Sequence, residues 1–160
     1  MLRLAGWFGL SAALIALDQL TKSLIAGRIG QGGSVSLGAF LDLVHIYNRG
    51  AAFSFLSEAS GWQRWFFVAL AGTISLWLIA LIVRDRAQTM TPLAFALILA
   101  GAIGNLIDRL IHGAVLDFLY FHIGPWGWPA FNLADSSITL GVALILIDQL
   151  RAKKRAAATD

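Results

Sequence analysis

Asp135 stands at the front of an otherwise apolar run, "FNLADSSITLGVALILI" (residues 131–147), beside Asn132, Ser136 and Ser137. An ionised group next to lipid is costly, and groups kept there in spite of the cost usually have work to do. Other apolar runs are interrupted in the same way, by Asp18 and Lys22 and by Asn105, Asp108 and Arg109. Asn48, Arg49 and Asp117 lie in the segments between the runs. Carboxylates and asparagines of this kind suit proton transfer and hydrogen bonding, or capture of a cation or headgroup. The chain has no cysteine, which excludes thiolate catalysis, disulfides and cysteine-ligated zinc. His45, His112 and His122 form no HExxH pattern, so no metal and no cofactor are expected.

Spacing groups these residues. Asn105, Asp108 and Arg109 recur at helical intervals and share a face, which Gly101 and His112 extend. Asn132, Asp135, Ser136 and Thr139 make a comparable stripe, and the two stripes are expected to face each other. Ala100, Gly101, Ala102 and Gly104 allow close helix approach. Asp18 and Lys22 are one helical turn apart and read as a structural ion pair that lets both charges sit in the membrane. Asp108 beside Arg109 reads similarly, with Arg109 equally able to face a site. Asp42, Glu58 and Asp85 read as solvated loop residues, and Asp148 as an interfacial charge. Spacing alone leaves Asp117 and Asp135 open between tolerated interfacial carboxylates and a working pair.

The elements that must position these groups are membrane spans. Of 160 residues, 58% are hydrophobic and 13% charged, against about 25% charged in a soluble domain. "WFFVALAGTISLWLIALIV" (Trp65 to Val83) is uncharged and long enough for a bilayer core. The fold class expected is a mainly α membrane protein: a single membrane domain over 1–160 with four transmembrane helices at about 4–26, 64–83, 92–111 and 132–150. Met1 to Ala26 begins like a cleaved signal peptide, but Asp18 and Lys22 break its apolar core, so it is read as a retained span. The net charge of +3 does not mark a nucleic-acid binder, because the basic residues cluster at span ends. Arg3, Arg84, Arg86, Arg151, Lys153, Lys154 and Arg155 fall on one side, which predicts cytoplasmic termini and exterior loops at about 27–63 and 112–131.

In the first loop, "SVSLGAFLDLVHIYN" is rich in β-formers and reads as one or two short strands, a small exterior β element between helices 1 and 2. "RGAAFSFL" (Arg49 to Leu56) reads as a surface-lying segment. Trp126 and Trp128 suit interfacial anchoring, and Pro125 and Pro129 break the helix before the last span. This topology puts nearly all the awkward polar groups at the outer leaflet. Leu76 to Val83, Leu93 to Leu99 and Gly141 to Ile147 hold no ionisable residue. A channel or carrier needs polar groups at several depths. A one-sided pocket favours an enzyme acting on something that arrives at the outer leaflet.

The blocks "DQLTK" (Asp18 to Lys22), "YNRGAAFSFL" (Tyr47 to Leu56), "GAIGNLIDRL" (Gly101 to Leu110), "VLDFLYF" (Val115 to Phe121) and "FNLADSSITLG" (Phe131 to Gly141) together resemble the lipoprotein signal peptidase (signal peptidase II) family over almost the whole chain. The resemblance implies a bacterial inner-membrane aspartic protease with a small exterior β-cradle and an exterior helical segment. It implies cleavage of a prolipoprotein just before its diacylglyceryl-modified cysteine, releasing the signal peptide. The family's catalytic dyad maps onto Asp117 and Asp135. Asn48, Asn105, Arg109 and Asn132 match polar residues lining the family's site, and Asp18, Lys22 and Asp108 are left as structural polar residues. The partners implied are the lipidated prolipoproteins and membrane lipids, with no nucleic acid, and the enzyme is expected to be a monomer. The rival readings are a protein that uses Asp117 and Asp135 to capture a cation or headgroup, and a non-catalytic helper subunit. Asp to Asn changes separate them, because an enzyme keeps binding and loses turnover.

Overall fold

The computed structural model describes residues 2–50, 61–85 and 89–157. The chain runs α1 (Leu2–Arg28), β1 (Ser34–Ser36), β2 (Leu41–Asn48), α2 (Trp62–Arg84), α3 (Met90–His112), β3 (Val115–Ile123), β4 (Trp126–Gly127) and α4 (Leu133–Ala157). All four helices are long and apolar enough to cross a membrane. The surface-lying segment expected up to Leu56 falls outside the described residues after Gly50.

Helix α3 is the centre of the bundle. Half of its apolar window is buried inside the protein, against 11%, 22% and 17% for α1, α2 and α4. Its small residues make this possible. A Cβ on Gly101 would collide with the carbonyl of Ala134 in α4 and come within 2.6 Å of Ile138 Cγ1. Gly141 of α4 answers from the other side, where a Cβ would lie 2.7 Å from the Ala94 carbonyl. Backbone approach of this kind is how helices pack where no water drives them together. Away from the loops the packing is apolar, with Leu78, Ile82, Ala96 and Leu99 buried and Trp7 and Phe8 of α1 against them.

The strands form one antiparallel sheet in the order β1-β2-β3-β4 at the loop end of the bundle. The strands expected in the first loop are present as β1 and β2. The sheet also takes in the second loop, whose strands the sequence did not announce. Val115 to Phe118 are buried in an unbroken run, so β3 lacks the alternation of a half-exposed strand and is not distinguishable by period from buried helix.

Two joints place the polar residues. Gly113 takes a left-handed conformation (φ 75°) and its N–H donates to the Arg109 carbonyl, which ends α3 and turns the chain into β3. Further on, Phe118 N–H and Leu119 N–H both donate to the Phe131 carbonyl at 3.0 and 2.8 Å. Pinning Phe131 to β3 delivers the next residue, Asn132, beside Asp117.

Candidate active site

Asn132 caps α4. Its Oδ1 accepts the N–H of Asp135 at 2.9 Å, while Asp135 Oδ2 accepts the Asn132 N–H at 3.3 Å. This reciprocal box answers N–H groups that a first helical turn leaves free. Asp18 Oδ1 accepts a further one, from Ala134, at 2.9 Å. Asp135 therefore faces the loop end because the cap requires it, at the positive pole of the helix.

Asp117 arrives from β3. Asn132 Nδ2 donates to its Oδ1 at 2.7 Å, and Asn48 Nδ2 to its Oδ2 at 3.1 Å. Asn105 of α3 donates through Nδ2 to Asp135 Oδ1 at 2.8 Å. So one residue, Asn132, bonds both carboxylates, and three asparagines together hold the pair. The stripes on α3 and α4 do face each other, and the Asn105–Asp135 bond joins them.

Beneath this pair lies a charged cluster. Lys22 Nζ is 2.8 Å from Asp18 Oδ2 and 2.9 Å from Asp108 Oδ2, and it donates to Asn105 Oδ1 at 3.2 Å. All three charged side chains are buried. Asp108 Oδ2 also accepts the Leu116 N–H at 3.0 Å, which fixes the backbone of β3 one residue before Asp117.

The site's electrostatics follow from burial. Asp117 is 3% exposed. Loss of water, and then the negative charge of Asp135, push its carboxyl up to about 7, against the opposing bonds from Asn48 and Asn132 and the charge of Lys22. Both carboxylates line a cavity of roughly 1050 Å³ together with Arg109, Phe131, Ile138 and Ala143. Its polar end holds the aspartates, and its apolar flank continues along α4 to Ala143, two turns deeper.

Comparison with known proteins decides the family. The family model "Signal peptidase (SPase) II" matches residues 10–151. The chain belongs to the signal peptidase II family. A lipoprotein signal peptidase of Azoarcus sp. (strain BH72) is 60% identical over 148 residues, covering 92% of this chain and 84% of that one. One of Paraburkholderia phymatum is 53% identical over 148 residues, covering 92% and 89%. Two solved structures, both titled as bacterial membrane enzymes by the in meso method, align with TM-scores of 0.84 and 0.80 at 33% and 34% identity. They cover 94% and 91% of this chain and 91% and 93% of their own chains. Membership makes the chain a multi-pass membrane peptidase.

Within this signal peptidase II fold, Asn48, Asn105, Arg109, Asn132, Asp117 and Asp135 come together, and all but the buried Asn132 line the one cavity. Asp18, Lys22 and Asp108 lie behind it. One expected pairing is replaced. Asp108 turns to Lys22 rather than to its neighbour Arg109, because adjacent residues on a helix point in different directions. Arg109 instead donates to the Gly50 carbonyl at 3.1 Å and lies over the Phe67 ring at 4.9 Å. Asp42 is not a solvated loop residue but sits in β2 with Oδ2 3.3 Å from His122. Sequence reasoning also passed over Gln19, whose Nε2 donates to Asp108 Oδ1 at 2.9 Å and to Asp18 Oδ2 and the Gly104 carbonyl, both at 3.2 Å. Its position between Asp18 and Lys22, in "DQLTK", was the available signal.

Proposed function

We propose that this chain is a lipoprotein signal peptidase that hydrolyses the bond before a diacylglyceryl-modified cysteine, with Asp117 and Asp135 as its catalytic dyad. The observation that carries the reading is the pair of hydrogen bonds by which Asn132 joins both carboxylates, through its side chain to Asp117 and its backbone N–H to Asp135, in one cavity. The pair holds one proton. Asp117, raised to about 7, keeps it, and Asp135 is the base. Asp135 takes a proton from a water, whose oxygen attacks the scissile carbonyl, while Asp117 gives its proton to the carbonyl oxygen. The tetrahedral intermediate then collapses. The proton on Asp135 goes to the leaving nitrogen, the C–N bond breaks, and the hydroxyl proton returns to the dyad. No metal enters this cycle. Asn48, Asn105 and Asn132 orient the carboxyls, and Arg109 holds substrate backbone carbonyls beside them. Asp18, Lys22 and Asp108 are structural.

Substrate selection follows from depth. The aspartates stand where the spans meet water, above an apolar flank on α4, so a diacylglyceryl chain anchors the scissile bond at the right level. With the termini cytoplasmic, that level is the periplasmic leaflet. The test compares lipidated and unlipidated precursor at equal concentration. The lipidated form should be cut far faster, and equal rates would refute this account. Reporter fusions at Ser57 and Gln88 should report opposite sides of the membrane; the same side for both would overturn the topology.

A further inference from the structure

Beside the aspartate cavity lies another, of roughly 570 Å³, lined by Arg49, Gln63, Arg64, Trp65 and His112 and by the backbones of Gly61 and Gly113. None of these described lining residues is acidic. Arg64 spends only part of its donor set on the protein. Its Nη2 braces the end of α3 by donating to the Leu110 carbonyl at 2.8 Å, its guanidinium lies 5.1 Å from the Trp65 ring, and its Nε is buried with no hydrogen-bond partner. Neither Arg49 nor Arg64 forms an ion pair with a carboxylate among the described residues. Guanidinium groups on a concave surface with no carboxylate among its described lining residues fit a phosphate oxyanion.

The surroundings say which phosphate. The cavity sits where α2 begins and α3 ends, the level at which spans leave lipid. Trp62 and Trp65 are exposed there, as tryptophans at a membrane surface are. Starting at Trp62, an exposed row continues through Phe66 and Leu70 at one-turn intervals down α2. A basic pocket with an apolar row beneath it matches a phospholipid, headgroup above and acyl chain below. We infer that Arg49 and Arg64 hold the phosphate of an anionic phospholipid headgroup, with its acyl chain along Trp62, Phe66 and Leu70. Arg49 also lines the aspartate cavity, so the lipid stands beside the entrance to the site rather than in it. This binding does not depend on the hydrolytic reading.

Native mass spectrometry of the purified full chain in detergent tests it, with dioleoylphosphatidylglycerol, dioleoylphosphatidylcholine and inorganic phosphate as probes. The parent should retain phosphatidylglycerol in preference to phosphatidylcholine. The Arg49→Gln/Arg64→Gln variant should lose phosphatidylglycerol affinity by about tenfold or more, and inorganic phosphate at equal concentration should not compete. Because Arg64 also braces α3, Arg49→Gln alone is measured beside it and should lose part of the preference with thermal stability unchanged. Equal retention of both lipids by the parent, or unchanged retention by both variants, would overturn the proposal. Displacement by equimolar inorganic phosphate would overturn it in favour of a small-anion site.

Discussion

Two pairs of buried carboxylates share one network in this molecule, and they are held differently. Asp18 and Asp108 share an ammonium, Lys22. Asp117 and Asp135 share a neutral residue, Asn132, whose side-chain amide donates to Asp117 and whose backbone N–H donates to Asp135, with the amides of Asn48 and Asn105 completing the set. An ammonium answers a carboxylate's charge, and the resulting cluster braces helices and strand: Asp18 caps α4 and Asp108 pins β3. An amide fixes a carboxylate's position without cancelling its charge. The cost of burial then stays with the pair, and in the proposed mechanism it is met by keeping a proton. On the proposed mechanism, the same residue type becomes a brace or a reagent according to whether its partner is charged.

The largest expected effect tests the amide-held pair. Asp117→Asn and Asp135→Asn should each lower turnover on a lipidated precursor by roughly a thousandfold or more, and combining them should cost little beyond either, since the pair acts as a unit. Activity of the parent should survive a strong chelator. Near-normal turnover in either single variant would break the comparison and shift attention to Asp108 and Asp18.

Next in size is the ammonium-held pair. Lys22→Met leaves two carboxylates buried without their cation, and breaking such a pair costs about 3–5 kcal/mol. Thermal unfolding in detergent should show the loss. If Lys22→Met unfolds like the parent while turnover disappears, Lys22 belongs with the chemistry instead.

A smaller effect separates the two pairs by pH. The carboxyl of Asp117 in the folded protein, at about 7, lies above its ordinary 3.8, so the native state binds that proton more tightly than the unfolded state. The stability tied to it is present at acid pH and is lost as pH rises through about 7. Asp117→Asn should therefore be more stable than the parent at pH 8, while Lys22→Met is less stable throughout. Turnover should fall over the same alkaline range. Asn48→Ala removes a bond that favours the charged form of Asp117, so it should move the alkaline limb to higher pH. A limb that stays fixed or moves down would show that Asp117 does not carry the shared proton.

Composition and period set the four helices, the strands of the first loop and the helix faces that carry polar groups. Apolar runs long enough for a bilayer, the helical interval among Asn105, Asp108 and Arg109, and the one-turn spacing of Asp18 and Lys22 are local properties, written in composition and period. So was the likelihood that Gly101 marks a close helix contact, since only a missing side chain permits one. The order of the five motif blocks was enough to suggest the family, but not to say which carboxylate meets which partner. Tertiary structure decided that. The first half of β3, Val115 to Phe118, is buried on both faces and carries no period, so nothing local foretold that Asp117 would enter on a strand. Its meeting with Asp135 depends on Phe131 being tied to β3 and Asn132 capping α4. Asp108 chose Lys22 over the adjacent Arg109 because side-chain direction on a packed helix, not nearness in sequence, sets which charges touch.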